Sequence, residues 1–159
     1  MSSVCARKQP MQPNSNPSVQ YSLFKISGRT FAVEVNRVQE VVRHMPLTVL
    51  PLAPECVEGM INLRGQIATA ISLPKLLKLS GLDKSEQLNV ICKSDDCLLS
   101  FLVDEIGDVE EFSQSDLEAT PFTLDISIRR FMKGVIKNEK QLVSILDVDL
   151  IIQHLNKAA

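Results

Sequence analysis

Gly59-Met60-Ile61-Asn62-Leu63-Arg64-Gly65-Gln66-Ile67-Ala68-Thr69-Ala70-Ile71-Ser72-Leu73 stands above the rest of the chain. It reads as two strands, Gly59 to Leu63 and Gln66 to Ser72, joined at Arg64-Gly65. Gly59 and Gly65 permit backbone conformations closed to other residues, while Asn62 and Arg64 place polar groups in an otherwise apolar strand pair. Two readings of those polar groups stand side by side. Both side chains can satisfy turn carbonyls, or the planar guanidinium fork of Arg64, projecting from a rigid corner, can recognise a partner's carboxylates or carbonyls.

On the C-terminal side, Ser72 offers a helix cap and Pro74 suits a first-turn position. Leu73, Leu76, Leu77 and Leu79 then form a helical apolar stripe ended by Gly81. On the N-terminal side the pattern is period two. Phe31, Val33 and Val35 fall on one face and Thr30, Ala32 and Glu34 on the other, with Val19 to Ser27 as the preceding strand and Gly28-Arg29 as the tight turn. Asn36-Arg37-Val38 interrupts with a single helical turn before Gln39 to Arg43 resumes extended structure. Pro46, Pro51 and Pro54 bracket a connection whose Leu47 to Leu50 forms a short edge segment, because proline cannot donate into a central ladder.

The second half repeats the rhythm. Leu88 to Lys93 and Cys97 to Val103 make a hairpin about Ser94-Asp95-Asp96, and Ile106 to Phe112 is a further strand. Ser113 to Arg130 is irregular. Phe131 to Lys137 and Lys140 to Leu146 form the last hairpin about Asn138-Glu139, and Val148 to Leu155 is helical. About ten short strands, none followed by a helix long enough to cross back in parallel, predict small β-barrels. The expected fold is mainly β: two SH3-like five-stranded β-barrel subdomains with short helices. The expected divisions are a disordered tail over 1–18, a domain over 19–159 whose second subdomain spans about 88–146, and a C-terminal helix over 147–156.

Aromatic residues make up 4% of the chain and Trp is absent, so Ile, Val and Leu must build the core. A formal net charge of −2 leaves no basic field to gather phosphate backbones, which argues against a nucleic-acid partner. No apolar run approaches the ~20 residues that span a bilayer, so no direct membrane insertion is expected and the chain reads as cytoplasmic.

Chemistry-bearing patterns are absent: there is no G-x-G-x-x-G, no G-x-x-x-x-G-K-[ST] and no G-x-S-x-G. His44 and His154 have no companions at catalytic or metal spacing. Cys5, Cys56, Cys92 and Cys97 form no C-x-x-C unit; Cys92 and Cys97 read either as two half-buried hydrophobes or as a redox pair facing across their hairpin. The acidic stretch Asp104, Glu105, Asp108, Glu110 and Glu111 lacks the glycine placement of a calcium loop and reads as a solvated strand edge. Glu34, Glu40 and Asp147 carry no cue for a paired acid and base. No cofactor, no metal and no catalytic residue is expected.

The Gly59 to Ile67 segment resembles the G-x-x-N-L-R-G-x-[IV] signature of the CheW-like domain family, found in chemotaxis coupling proteins and in the regulatory domain of CheA-type histidine kinases. Three further places are similar to the family in order: the hairpin Tyr21 to Val35 with Asn36-Arg37-Val38-Gln39-Glu40-Val41 after it, the V-D-x-[IV]-x-x-V run at Val103 to Val109, and the hairpin Met132 to Leu146 leading into a helix. The resemblance covers about residues 19 to 155. It implies a non-catalytic scaffold with two partners, the cytoplasmic signalling tip of methyl-accepting chemoreceptors and the regulatory domain of a CheA-type histidine kinase. By position it assigns partner binding to Val38, Glu40, Gly59, Arg64 and Ile67, with Asn62, Leu63 and Gly65 completing the motif. Arg64→Ala and Val38→Asp are expected to weaken partner binding while sparing the fold. The resemblance also implies an apolar groove shared by the two barrels. The chain departs from the family at Thr69-Ala70-Ile71-Ser72-Leu73, where Pro-[IV]-[IV]-[DN]-Leu is usual; Ser72 still serves as a cap, and Thr69 and Ala70 bear on whether that groove keeps the family's shape. A pilus-motility adaptor and a β-barrel module for a small ligand are the alternative readings.

Overall fold

The computed structural model describes residues 17–43, 45–79, 88–138 and 141–158. The expectations for Cys5, His44, Gly81, Glu139, Lys140 and the tail up to residue 16 fall outside them. Ser18, assigned above to the tail, instead begins the first strand. Among the described residues the strands are β1 (Ser18–Ile26), β2 (Arg29–Glu34), β3 (Val38–Val42), β4 (Val57–Leu63), β5 (Gln66–Ser72), β6 (Leu88–Ser94), β7 (Cys97–Val103), β8 (Glu105–Ser113), β9 (Leu117–Glu118), β10 (Met132–Lys137) and β11 (Leu142–Leu146). The helices are α1 (Leu73–Leu77), α2 (Ile126–Arg129) and α3 (Val148–Ala158), with 3-10 turns at Val35–Arg37 and Gln114–Asp116.

The strands form two sheets. Sheet A has the order β8-β1-β2-β11-β10-β9 and sheet B the order β3-β6-β7-β5-β4. The fold is therefore mainly β in two sheets, but the strands are not shared out in chain order. A boundary near residue 88 would separate β6 and β7 from β3, β5 and their own sheet. Sheet B takes the whole stretch from β3 to β7, which in chain order falls between β2 and β8 of sheet A. Sheet A carries a sixth strand, the two-residue β9, which grows out of the stretch expected to be irregular. So does α2, whose N-cap Asp125 accepts from Ser127 N–H at 2.9 Å. Elements this short leave no periodicity to read.

Most pairings are antiparallel, but β2 runs parallel to β11 and β5 parallel to β7. The β1–β2 turn falls on Ser27-Gly28, one residue before the expected pair, because Arg29 already pairs with Ile26. Ser72 caps α1 through its side chain as expected, accepting from Lys75 N–H, and the helix ends on Lys78 in a left-handed conformation.

The inner strands of sheet A, β1, β2, β10 and β11, are buried on both faces. Tyr21, Leu23, Ala32, Ile136, Val143 and Ile145 pack together on one side. Phe24, Ile26, Phe31, Val33 and Val135 point to the other, where they meet Ile71, Val90, Phe101 and Val103 of sheet B together with Leu73 and Leu77 of α1, Ile128 of α2 and Val148 and Ile151 of α3. The alternation of side chains along β1 and β2 thus fills a small inner core and a large shared core at once. Sheet B repeats the arrangement: Ile61, Ala68, Ala70 and Ile91 are as fully buried as the residues that face the shared core.

Candidate functional site

β4 and β5 pair from Val57–Ile71 to Leu63–Gln66, so the predicted hairpin is present with Arg64-Gly65 as its two-residue turn. Both turn residues have positive φ, 51° and 88°. That is the combination a two-residue hairpin loop needs to follow the right-handed strand twist. Gly65 adopts it freely, whereas Arg64 does so against its own preference. Asn62 Oδ1 accepts from Gly65 N–H at 3.0 Å. Asn62 therefore serves the turn, by taking up an amide and not a carbonyl. Leu63 is buried in the core. Gly59 is buried too: a Cβ there would sit 2.7 Å from the Thr48 carbonyl oxygen. Its absence lets Thr48 bridge to Met60 through hydrogen bonds of 2.9 and 2.8 Å. Gly59 thus acts through the backbone and cannot itself be a contact surface. That bridge is also all that forms of the short edge segment expected at Leu47 to Leu50.

The motif is exposed from Arg64 to Ile67 and at Asn62; the large side chains in this patch that are not spent on the turn are Arg64, 70% accessible, and Ile67, 50% accessible. Arg64 does not project freely. Its Nη2 is ion-paired with Glu40 Oε2 of β3, and alongside it Gln39 Nε2 donates to Gln66 Oε1 at 3.4 Å. β3 and β4 are the two ends of sheet B. These two contacts therefore bring the sheet's far end back to the β4–β5 turn and close it by side chains. The structure thus gathers Glu40 and Arg64 from 24 residues apart. Val38 lies on the same strand as Glu40 but is partly buried and packs against the shared core. Val38→Asp would put a carboxylate into apolar packing, so the expectation that this variant spares the fold does not hold.

The base of β3 is fixed by a feature that sequence reading missed. Arg37 binds Asp149 of α3 with both guanidinium nitrogens, at 3.2 and 2.8 Å, and Ser94 Oγ–H donates to the same carboxylate. The Ser94 hydrogen bond, with Arg37 beside it, holds the Asp149 carboxyl below the usual carboxylate range. Arg37 sits 112 residues from its partner, so no spacing signals the pair.

An apolar groove of about 450 Å³ opens where Leu50, Leu52 and Pro54 face Thr69, Leu98 and the Ile152–Leu155 side of α3. Thr69, one of the two positions that depart from the family pattern, lines this groove, while Ala70 is buried inside sheet B. Cys92 and Cys97 do not face each other: Cys92 pairs with Leu99 and Cys97 with Ser94. Burial pushes the Cys92 thiol up to about 12, and Cys97 is exposed. β8 is the edge of sheet A, and Glu105, Asp108 and Glu111 are exposed along it. Among the described residues no three His, Cys, Asp or Glu side chains converge as a metal site.

The family model of the CheW-like domain matches residues 20–156. The chain is 28% identical to the chemotaxis protein CheW of Thermotoga maritima over 132 residues, 83% of this chain and 86% of the relative. It is 25% identical to that of Bacillus subtilis over 82% of this chain and 84% of the relative. Among solved structures, the scaffolding protein TtCheW of Thermoanaerobacter tengcongensis superposes with a TM-score of 0.75 at 25% identity, covering 83% of this chain and 90% of that one. With the family model spanning both sheets and α3, the chain belongs to the CheW-like domain family.

Proposed function

We propose that this chain is a non-catalytic scaffold that couples transmembrane chemoreceptors to a CheA-type histidine kinase in chemosensory signalling. It works on the cytoplasmic side, where it joins receptor arrays through its partners. The observation that carries the reading is the family match over both sheets, with the motif turn intact at its centre. The relatives it matches are chemotaxis proteins, and the matched structure is a scaffolding protein.

The surface for this coupling centres on Arg64 with Glu40 and Ile67. Arg64 offers guanidinium hydrogens beyond those Glu40 uses, and Ile67 adds apolar area beside it. Asn62 and Gly65 shape the turn, Leu63 roots it in the core, Gly59 admits the Thr48 bridge, and Val38 supports β3 from the shared core. Interfaces draw most of their energy from a few such anchors, so Arg64→Ala should weaken binding by about 1–4 kcal/mol. The test is co-recovery of the purified chain with a cytoplasmic receptor fragment and the CheA-type kinase of the same cell. Recovery of both by the wild type, weakened by Arg64→Ala, supports the reading. Recovery of neither partner by folded protein would remove the coupling role; equal recovery by the variant would remove only the site.

A further inference from the structure

His154 lies on the last two turns of α3, between an arginine and an aromatic ring. Its Nδ1 is 3.3 Å from Arg130 Nη2. Arginine has no lone pair to offer, so Nδ1 must be the acceptor and the imidazole neutral, with its proton on Nε2. The ring meets Phe131 edge-on at 5.1 Å, and Arg130 is held over the same Phe131 ring with Cζ 5.0 Å from its centroid. Among the described residues, the charged groups that act on His154 are Arg130, from the junction of α2 and β10, and Lys157 of α3 itself, both cationic. The carboxylate of Asp149 is engaged by Arg37 and Ser94 at the other end of the helix.

We propose that His154 is a proton-sensitive latch that holds the C-terminal half of α3 against Arg130 and Phe131 and releases it when the imidazole is protonated. Protonation converts the only acceptor in the contact into a donor aimed at a guanidinium. It also adds a third positive charge beside Arg130 and Lys157, and among the described residues the structure records no carboxylate balancing them. Ile152, Leu155 and Asn156 on this half of α3 form one wall of the apolar groove, so release changes the groove's shape. Burial, then Arg130 and Lys157, hold the imidazole below its ordinary value of 6.5. The folded chain thus resists the proton that the unfolded chain accepts. Stability from this contact is fully present above the ordinary value, falls as pH drops through it, and levels off below the folded-state value.

The test is a pH series from about 8 to about 5, reading the His154 ring by NMR and amide exchange along α3 with intrinsic rates removed. It is run on the full chain carrying His44→Gln, so that His154 is the single titrating imidazole. The expected result is titration of His154 below the ordinary histidine value, with a several-fold loss of protection in the last turns of α3 at the same midpoint. In His154→Gln, whose amide oxygen still accepts from Arg130, that midpoint should vanish while protection at high pH is kept. Titration at or above the ordinary value overturns the latch. So does pH-dependent loosening that survives in His154→Gln.

Discussion

The two sheets solve the same problem in different ways. Sheet A is assembled from the two ends of the described chain, β1 and β2 with β8 to β11, and its outer strands β8 and β9 are joined through the short turn at Gln114–Asp116. Sheet B is one continuous stretch, β3 to β7, and its end strand β3 is tied back by the Gln39–Gln66 and Glu40–Arg64 contacts. Closure by chain connection is covalent and insensitive to solvent. Closure by an exposed ion pair and an amide contact is weak, and its groups remain on the surface, where a partner can use them. The candidate binding residues fall on the sheet whose seam is made of side chains.

Because both sheets pack on one shared core, they should not unfold separately. Phe101, buried in β7, belongs to that core, and Phe101→Ala should cost about 3–5 kcal/mol. Tyr21 is the chain's single tyrosine and sits in the inner core of sheet A, so its fluorescence reports that sheet while far-UV circular dichroism reports both. Coincident denaturant transitions by the two probes are expected in wild type and variant alike. A variant whose dichroism falls while Tyr21 stays native would show two independent units.

The next effect in size belongs to the close approach inside sheet B. Gly59→Ala places a Cβ against the Thr48 carbonyl, so the backbone must shift and the Thr48–Met60 bridge is lost. About 1–3 kcal/mol of destabilisation is expected. A chemical-denaturation midpoint unchanged by the substitution would mean that the 45–50 segment is not held there.

Asp149→Asn loosens the base of β3 without changing shape. The pair is 31% and 43% exposed, so solvent screening limits the loss to about 0.5–1 kcal/mol near neutral pH. The carboxyl's folded-state value is lowered from 3.8, which makes its contribution present above that value and lost as pH falls through the lower one. The acid limb of the variant's stability curve should therefore be shallower than that of the wild type, measured by thermal melts below about pH 5. Parallel limbs would show that Ser94 and Arg37 do not favour the charged form.

Much of this fold is legible in the sequence. Hairpins β1–β2, β4–β5 and β6–β7 announce themselves by alternating apolar residues around short polar turns, and Ser72-Leu73-Pro74 marks the start of α1. The motif turn follows from the same local signals. What stays hidden depends on contacts between distant segments. Nothing in β2 says that it will lie parallel to β11, or in β1 that β8 will be its second neighbour, because alternation fixes a strand's faces and not its partners. For the same reason the split near residue 88, drawn from chain order, divides sheet B. At the candidate site, sequence supplies Arg64 and Glu40 as separate residues; their pairing exists only because sheet B curls until its ends meet.

The smallest effect on stability and the largest on binding should therefore come from one substitution. Arg64 is 70% exposed, and its ion pair with Glu40 competes with water and salt, so removing it should cost no more than about 0.5 kcal/mol of stability. Replacing an αL residue by alanine leaves the turn's strain in place, so no compensating gain is expected. Glu40→Gln keeps Arg64 in the same turn but frees its guanidinium from the carboxylate, and it separates two roles. If the pair acts as a unit that presents Arg64 in one orientation, Glu40→Gln weakens receptor or kinase binding in the same direction as Arg64→Ala, by a smaller factor, and the double variant loses less than the sum. If Glu40 only competes with the partner for Arg64, Glu40→Gln binds more tightly than the wild type. Titration calorimetry of the four proteins against the kinase regulatory domain distinguishes a seam that positions the arginine from one that withholds it.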